Sequence, residues 1–257
     1  MKSVDLNSDL GESFGIYTIG NDQEVLKYIS SANVACGYHA GDHNVLLHTV
    51  KAATELGVSI GAHPGFPDLA GFGRRELNMH PSEIYNLIVY QIGAIQAAAT
   101  VHGTKVNHVK PHGALYNLAS KNERIATAIA KAIYHVNPEL ILFGLAGSQL
   151  VKAGQRAGLQ VASEVFADRT YQPDGTLTPR SEQNAMIHDE DVAVERVLRM
   201  VNEGKVTAVD GQDIAIKADT ICVHGDEPKA LDFVKKLREK LLAEKVTIKP
   251  FGENAHG

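Results

Sequence analysis

The sequence contains no tryptophan and only two cysteines, Cys36 and Cys222, in 257 residues. Two cysteines are too few for a disulfide scaffold, and a cytosolic setting keeps them as thiols. No run of 18 apolar residues occurs, so no membrane span is expected. The opening stretch MKSVDLNSDLGESFG lacks the apolar core of a signal peptide, and a cytoplasmic location is therefore expected. Positive charge is also scarce: 25 Lys+Arg against 30 Asp+Glu give a net charge of −5, which argues against nucleic-acid binding. Neither a G-x-G-x-x-G after a strand nor a G-x-x-x-x-G-K-[ST] occurs, so the chain lacks a recognisable nucleotide-binding loop of its own. What it does have is 12 histidines.

Short β-branched runs alternate with longer helical patterns. The strand candidates are 4–9, 32–36, 58–62, 106–110, 140–144, 161–166 and 219–223, with a shorter run at 246–249. Helical spacing falls near 22–30, 43–56, 81–101, 121–135, 147–157, 189–202 and 227–243. Pro81 suits a first helical turn, and Gly57, Gly103 and Gly158 follow helices as C-terminal glycines do. Segment 206–217, with Asp210-Gly211 between two apolar runs, reads as a β-hairpin. Strands alternating with helices predict a parallel α/β sheet, and this many units favour a barrel, one domain over 1–257. Two long loops, 63–80 and 167–188, interrupt the pattern and are expected to be functional.

The chemistry collects where strands end. Asp9 and then Glu12 follow the first strand, Cys36 to Asp42 with His39 the second, and His63 the third. Lys110 and His112 close the fourth, Glu164, Asp168 and Arg169 the sixth, and His224 with Asp226 the seventh. In a β/α barrel these ends share one face, where active sites sit. A lone strand-end histidine is commonly a satisfied structural side chain, and a glycine after a strand is ordinary punctuation. It is the joint placement that argues for a site, because so many ionisable groups on one face are costly unless they pair or react.

His39 and His43 form H-x3-H, a spacing that suits metal ligands on a helix, and Asp9 offers a carboxylate third. The cysteines precede His39 and His224 by three and two residues, but small buried cysteines near strand ends are commonly packing residues. Gly71-Phe72-Gly73-Arg74-Arg75 is a doubly cationic loop that can clamp a carboxylate or phosphate, or simply be a solvated surface loop.

At these strand ends the sequence resembles the LamB/YcsF family, which supplies the A component of bacterial ATP-dependent 5-oxoprolinase. The matching stretches are DLNSDLGESFG (5–15), SANVACGYHAGD (31–42), GAHPGFPDLAGFGRR (61–75), VKPHGALYN (109–117), EVFADRTY (164–171) and ICVHGD (221–226). The resemblance implies a distorted seven-stranded, TIM-like β/α barrel related to the polysaccharide-deacetylase group. It also implies cleavage of 5-oxo-L-proline to L-glutamate with ATP hydrolysed, in concert with the B and C subunits, the ATP being bound outside this chain. Relatives often carry proline at the position of His43, which removes that residue from the metal reading and leaves Asp9, His39 and His63 as candidate ligands of a divalent ion.

Opening a lactam needs a base, a proton donor for the ring nitrogen and cations for the oxyanion and carboxylate. Asp9 is the candidate base, and His112 or His224 the acid. Lys110, Arg169, Arg74 and Arg75 are candidates for holding anions, with Glu164 and Asp168 orienting them. Glu12 and Asp226 are expected to contact substrate. The alternatives are a stand-alone metal-dependent deacetylase or amidohydrolase, and a non-catalytic scaffold for the other subunits. A homo-oligomer is compatible with either.

Overall fold

The computed structural model describes residues 2–223 and 230–252. Six parallel strands follow in chain order: β1 (Ser3–Leu10), β2 (Ser31–Ala35), β3 (Ser59–His63), β4 (Val106–Val109), β5 (Ile141–Leu145) and β6 (Val161–Phe166). A separate antiparallel hairpin, β7 (Lys205–Thr207) with β8 (Asp213–Ala215), matches the Asp-Gly expectation. Strand β9 (Thr220–Val223) then lies between β6 and β1, with Asp5 opposite Thr220 and Ser8 opposite Val223, and closes a seven-stranded barrel. The short β10 (Thr247–Ile248) pairs with the first residues of β1, Ser3 and Val4.

The helices pack outside: α1 (Asp22–Val25), α2 (His43–Glu55), α3 (Pro81–Val101), α4 (Gly113–Lys121), α5 (Glu123–Val136), α6 (Gln149–Ala157), α7 (Glu190–Glu203) and α8 (Ala230–Ala243). Their starts are written locally. Asp42 accepts from Asn44 and Val45 N–H ahead of α2, and Ser148 accepts from Val151 ahead of α6. Gly57, Gly103 and Gly158 all take the left-handed conformation expected of them.

Two helices differ from the sequence reading. The expected helix 22–30 shrinks to α1, because Lys27 and Tyr28 bond three residues back, to Glu24 and Val25, in tight turns. The expected helix 121–135 is α5, started by the Asn122 side chain, which accepts from Arg124 and Ile125 N–H, and an unanticipated helix, α4, precedes it. Among the described helices, α3 alone is long and apolar enough to cross a membrane. Its Ile84, Leu87, Ile88, Ile92 and Ile95 are buried, and the helix packs on β3, β4 and α5.

The barrel interior is not the usual stack of branched aliphatics. On β1 the alternation of the pleat turns Leu6 and Leu10 into the apolar core and brings Asp5, Asn7 and Asp9 onto one face. Asn7 Nδ2 reaches across to Glu164 Oε1 at 3.1 Å and to Thr220 Oγ1 at 2.7 Å. Asn33 Nδ2 donates to Asn7 Oδ1 at 2.7 Å, and its Oδ1 accepts from His108 Nε2 at 2.8 Å. Gly61 is required here, since a Cβ on it would overlap the His108 ring. Apolar filling comes from β5 and β6, where Ile141, Phe143 and Ala162 cluster with Phe251.

Candidate active site

Strands β1 to β4 deliver the reactive groups. Asp9 Oδ1 accepts from Asn33 Nδ2 at 2.8 Å and from Lys110 Nζ at 3.0 Å, while Asp9 Oδ2 lies 3.2 Å from His63 Nε2. Lys110 is 2% exposed. Its ammonium also contacts Glu164 Oε1 at 2.8 Å, Asn7 Oδ1 at 3.2 Å and Cys222 Sγ at 3.1 Å. Burial opposes its charge, but the Asp9 and Glu164 carboxylates outweigh that and hold the ammonium well above the ordinary lysine range. Tyr116 donates to Glu164 Oε2 at 2.6 Å.

Three histidines form the rest of the wall. The rings of His39 and His112 stack with centroids 3.6 Å apart, and His63 stands edge-on to both. Their tautomers follow from their bonds. A carbonyl only accepts, so His63 Nδ1–H donates to Lys110 O at 2.7 Å and His112 Nε2–H donates to Phe72 O at 2.8 Å. Phe72 adopts φ 54°, an uncommon left-handed conformation, followed by Gly73 at φ 63°. A Cβ on Gly73 would come within 2.8 Å of the His112 ring, so only glycine lets this turn close over the stack.

The remaining nitrogens, His63 Nε2 and His112 Nδ1, face each other at 3.0 Å. Burial, then His63, hold His112 down to about 3, and burial, then His112, hold His39 well below its ordinary range. Glu12 Oε1 lies 3.3 Å from His39 Nε2 and 3.7 Å from His112 Nδ1, and buried His39 Nδ1 has no hydrogen-bond partner among the described residues. One ligand atom from each of Glu12, His39, His63 and His112 falls within 4.8 Å of the others. Facing lone pairs beside a carboxylate call for a proton or a cation between them, and this donor set fits a divalent metal.

A cavity of about 410 Å³ opens above these groups. Asp9, Glu12, His63, Lys110, His112 and Arg74 line it, with Tyr116, Phe166, Arg169 and Arg180.

Several expected residues are placed otherwise. Glu164 lies fully buried within β6, beneath the mouth, because the strand continues two residues past it. Arg75 pairs with Asp68, its side chain 66% exposed, and does not line the cavity; Arg74 does, with its guanidinium 4.9 Å from the Phe72 ring centre. Asp168 follows β6 and is also outside the lining. The group that could hold a metal ion is Glu12, His39, His63 and His112; it includes His39 and His63 of the expected set, while Asp9 accepts from Lys110. His43 opens α2 on the surface. His224 and Asp226 lie outside the described residues. Burial pushes the Cys36 thiol up to about 12, which removes it as a nucleophile at neutral pH.

The sequence reading missed Asn7, Asn33 and Tyr116. The first had a signal, since Asp5, Asn7 and Asp9 recur at every second position of a strand bounded by Val4 and Leu10.

Fold and site together define a parallel β/α-barrel protein whose strand ends gather carboxylates, imidazoles and a buried ammonium. The chain belongs to the LamB/YcsF family, whose model matches residues 4–256. It is 62% identical over 248 residues to the 5-oxoprolinase A subunit of Halalkalibacterium halodurans, covering 96% of each chain. It is 56% identical over 253 residues to the 5-oxoprolinase A subunit of Bacillus subtilis, covering 98% of each. The crystal structure of the lactam utilization protein from Thermus thermophilus matches it with a TM-score of 0.92 at 45% identity, over 97% of this chain and 100% of that one.

Proposed function

We propose that this chain is the ring-opening A component of an ATP-dependent 5-oxoprolinase. It converts 5-oxo-L-proline to L-glutamate, with ATP hydrolysed, in concert with the B and C subunits. The observation that carries this reading is Lys110, a buried ammonium between Asp9 and Glu164 at the floor of the cavity, with neutral imidazoles beside it. Resonance protects an amide from attack, and phosphorylation of the carbonyl oxygen removes that protection. The chain has no phosphate-binding loop, so ATP is assigned to the B and C subunits.

Ring opening then needs water to add to the activated carbon as the carbon–nitrogen bond breaks, which leaves an acyl phosphate that a second water hydrolyses to the glutamate carboxylate and inorganic phosphate. Asp9, held by Lys110, Asn33 and His63, takes the proton of the attacking water. Lys110 stabilises the oxyanion, where an N–H donor in a dry site acts most strongly. The water proton passes from Asp9 Oδ2, by way of the facing His63 Nε2 and His112 Nδ1, to the ring nitrogen, which becomes the amino group of glutamate. The reading includes one domain over 1–257 and a cytoplasmic location.

The test is reconstitution of this chain with the B and C subunits, ATP and 5-oxo-L-proline, reading glutamate. Glutamate is expected from the complete mixture and not from this chain alone. None from folded, associated subunits overturns the proposal.

The facing lone pairs of His63 and His112 favour a second reading, a divalent metal held by Glu12, His39, His63 and His112 in a metal-dependent amidohydrolase. When bound, such an ion supplies Lewis-acid polarisation of the amide carbonyl. Zinc titration by calorimetry decides: stoichiometric binding lost in His63→Ala supports it, and no binding to the wild type removes it.

A further inference from the structure

The cavity has a second wall, built by the loop that leaves β6. Arg169 and Arg180 both line it, with Thr176 and Thr178 between them in sequence. Arg169 is only 4% exposed, which is unusual for an arginine. Its Nη2 donates to Thr178 O at 2.6 Å and its Nε to Ala185 O at 3.4 Å, so backbone carbonyls fix the guanidinium in place. The loop is itself pinned by bridges between Arg169 and Met186 and between Tyr171 and Leu177. Thr170 Oγ1 ties it further, to Thr178 Oγ1 at 2.7 Å and Asn184 O at 2.8 Å. Burial and then Arg180 lower the Arg169 pKa to about 10, which still leaves a cation at neutral pH. A rigid, buried arginine beside a second arginine on a cavity wall is built to receive an anion.

We infer that Arg169 and Arg180 form an oxyanion subsite that binds the carboxylate of the cyclic amide and thereby selects carboxylated lactams over neutral ones. The assignment rests on the ring-opening reading above and sets the orientation of the substrate within it. Asp9 and Glu12 on the other wall repel a carboxylate, and the Lys110 ammonium there is already paired with Asp9 and Glu164, which favours the Arg169 and Arg180 wall for that group. With the carboxylate there, the ring carbonyl points to Lys110. A lactam without the carboxylate forgoes the charge-assisted bonds to both arginines, and a site built around a polar group discriminates strongly against an analogue that lacks it.

The experiment compares wild type, Arg169→Gln and Arg180→Gln in the reconstituted complex, together with binding of 5-oxo-L-proline and 2-pyrrolidinone to the isolated chain. Arg169→Gln should raise KM for 5-oxo-L-proline about 10–100-fold, the loss of a charge-assisted pair, with kcat within about threefold. Arg180→Gln, at an exposed residue, should raise KM about 3–10-fold without moving the thermal midpoint. Calorimetric affinity for 5-oxo-L-proline should fall by the same factors, while affinity for 2-pyrrolidinone stays unchanged. Arg169 also holds its loop, so if Arg169→Gln fails to fold, Arg180→Gln decides the matter. An unchanged KM in the folded variants overturns the inference. Inorganic phosphate is titrated into the same variants, and loss of its binding with carboxylate binding intact also overturns the inference, reassigning the wall to a phosphoryl group. A wild-type complex that makes no glutamate instead overturns the ring-opening reading, and does so before any variant is measured.

Discussion

The two sides of the barrel interior are built on different principles. Strands β1 to β4 contribute Asp5, Asn7, Asp9, Asn33, His63 and His108, tied by hydrogen bonds, with Lys110 at the end of β4. Strand β5 contributes Ile141 and Phe143, packed with Ala162 and Phe251. The polar side is a costly arrangement, because each buried group must be satisfied by a particular partner. The apolar side asks only for shape and volume. The same barrel therefore holds its chemistry on one flank and an ordinary packed core on the other. The two meet where His108 stacks on Phe143 at 4.1 Å.

Breaking each side should give different symptoms. On the polar side, Asp9→Asn or His112→Ala should cut glutamate formation in the reconstituted complex by about 10²–10⁴, the usual contribution of a general acid or base. Near-wild-type rates in both variants, with circular dichroism unchanged, would dissolve the functional half of the contrast.

On the apolar side, Phe143→Ala should lower stability by about 3–5 kcal/mol through the cavity it leaves. Turnover below its lowered midpoint should stay close to wild type. Urea denaturation paired with activity measures both, and a rate loss as large as that of Asp9→Asn would show that the two sides are not separable.

The smallest effect sharpens the comparison through pH. His39, His108 and His112 are held neutral by burial, His108 and His112 with pKa values of about 3. Unfolded histidines take up protons below about pH 6.5. The unfolded chain therefore binds more protons from about pH 6.5 down to 3, and the stability present above 6.5 is lost as pH falls through that window. Asp5, pushed up to about 6 by burial, acts in the opposite sense. It contributes stability below about pH 4 that is lost as pH rises through 6. Asp22, also raised by burial, acts with Asp5, and the three histidines outweigh the two carboxylates, so the thermal midpoint should fall between pH 6.5 and 5. Each histidine contributes at most about 1.4 kcal/mol per pH unit. His108→Gln should flatten that slope and Phe143→Leu should not. Scanning calorimetry from pH 5 to 8 reads this directly, and a midpoint that rises toward acid contradicts it.

Much of this was legible in the residues. The strands were visible because β-branched runs and glycine punctuation are local signals, and Asp42, Ser148 and Pro81 mark helix starts within a few residues. The gathering of Asp9, His39, His63, Lys110 and His112 was also legible, because strand ends in a parallel barrel share one face. Helix α4 was not, since Pro111-His112-Gly113 carries the composition of a loop. Nor was the fate of the paired arginines: Arg75 goes to Asp68 and Arg74 to the cavity, which depends on how a folded loop turns.

By itself, then, the sequence determined the order and type of the elements and which residues stand at the barrel mouth, because periodicity and turn chemistry act over a few residues. Only the closed barrel decided the partners. Asn7 meets Glu164 across 157 residues of chain and Lys110 meets Asp9 across 101, and no local pattern encodes such distances. The same closure turned His63 and His112 lone pair to lone pair, placed Glu164 under the floor and brought Arg169 to the opposite wall. Histidine content is a property of the sequence, but the chemistry lies in tautomers and burial, which arise when distant strands are brought within hydrogen-bonding distance.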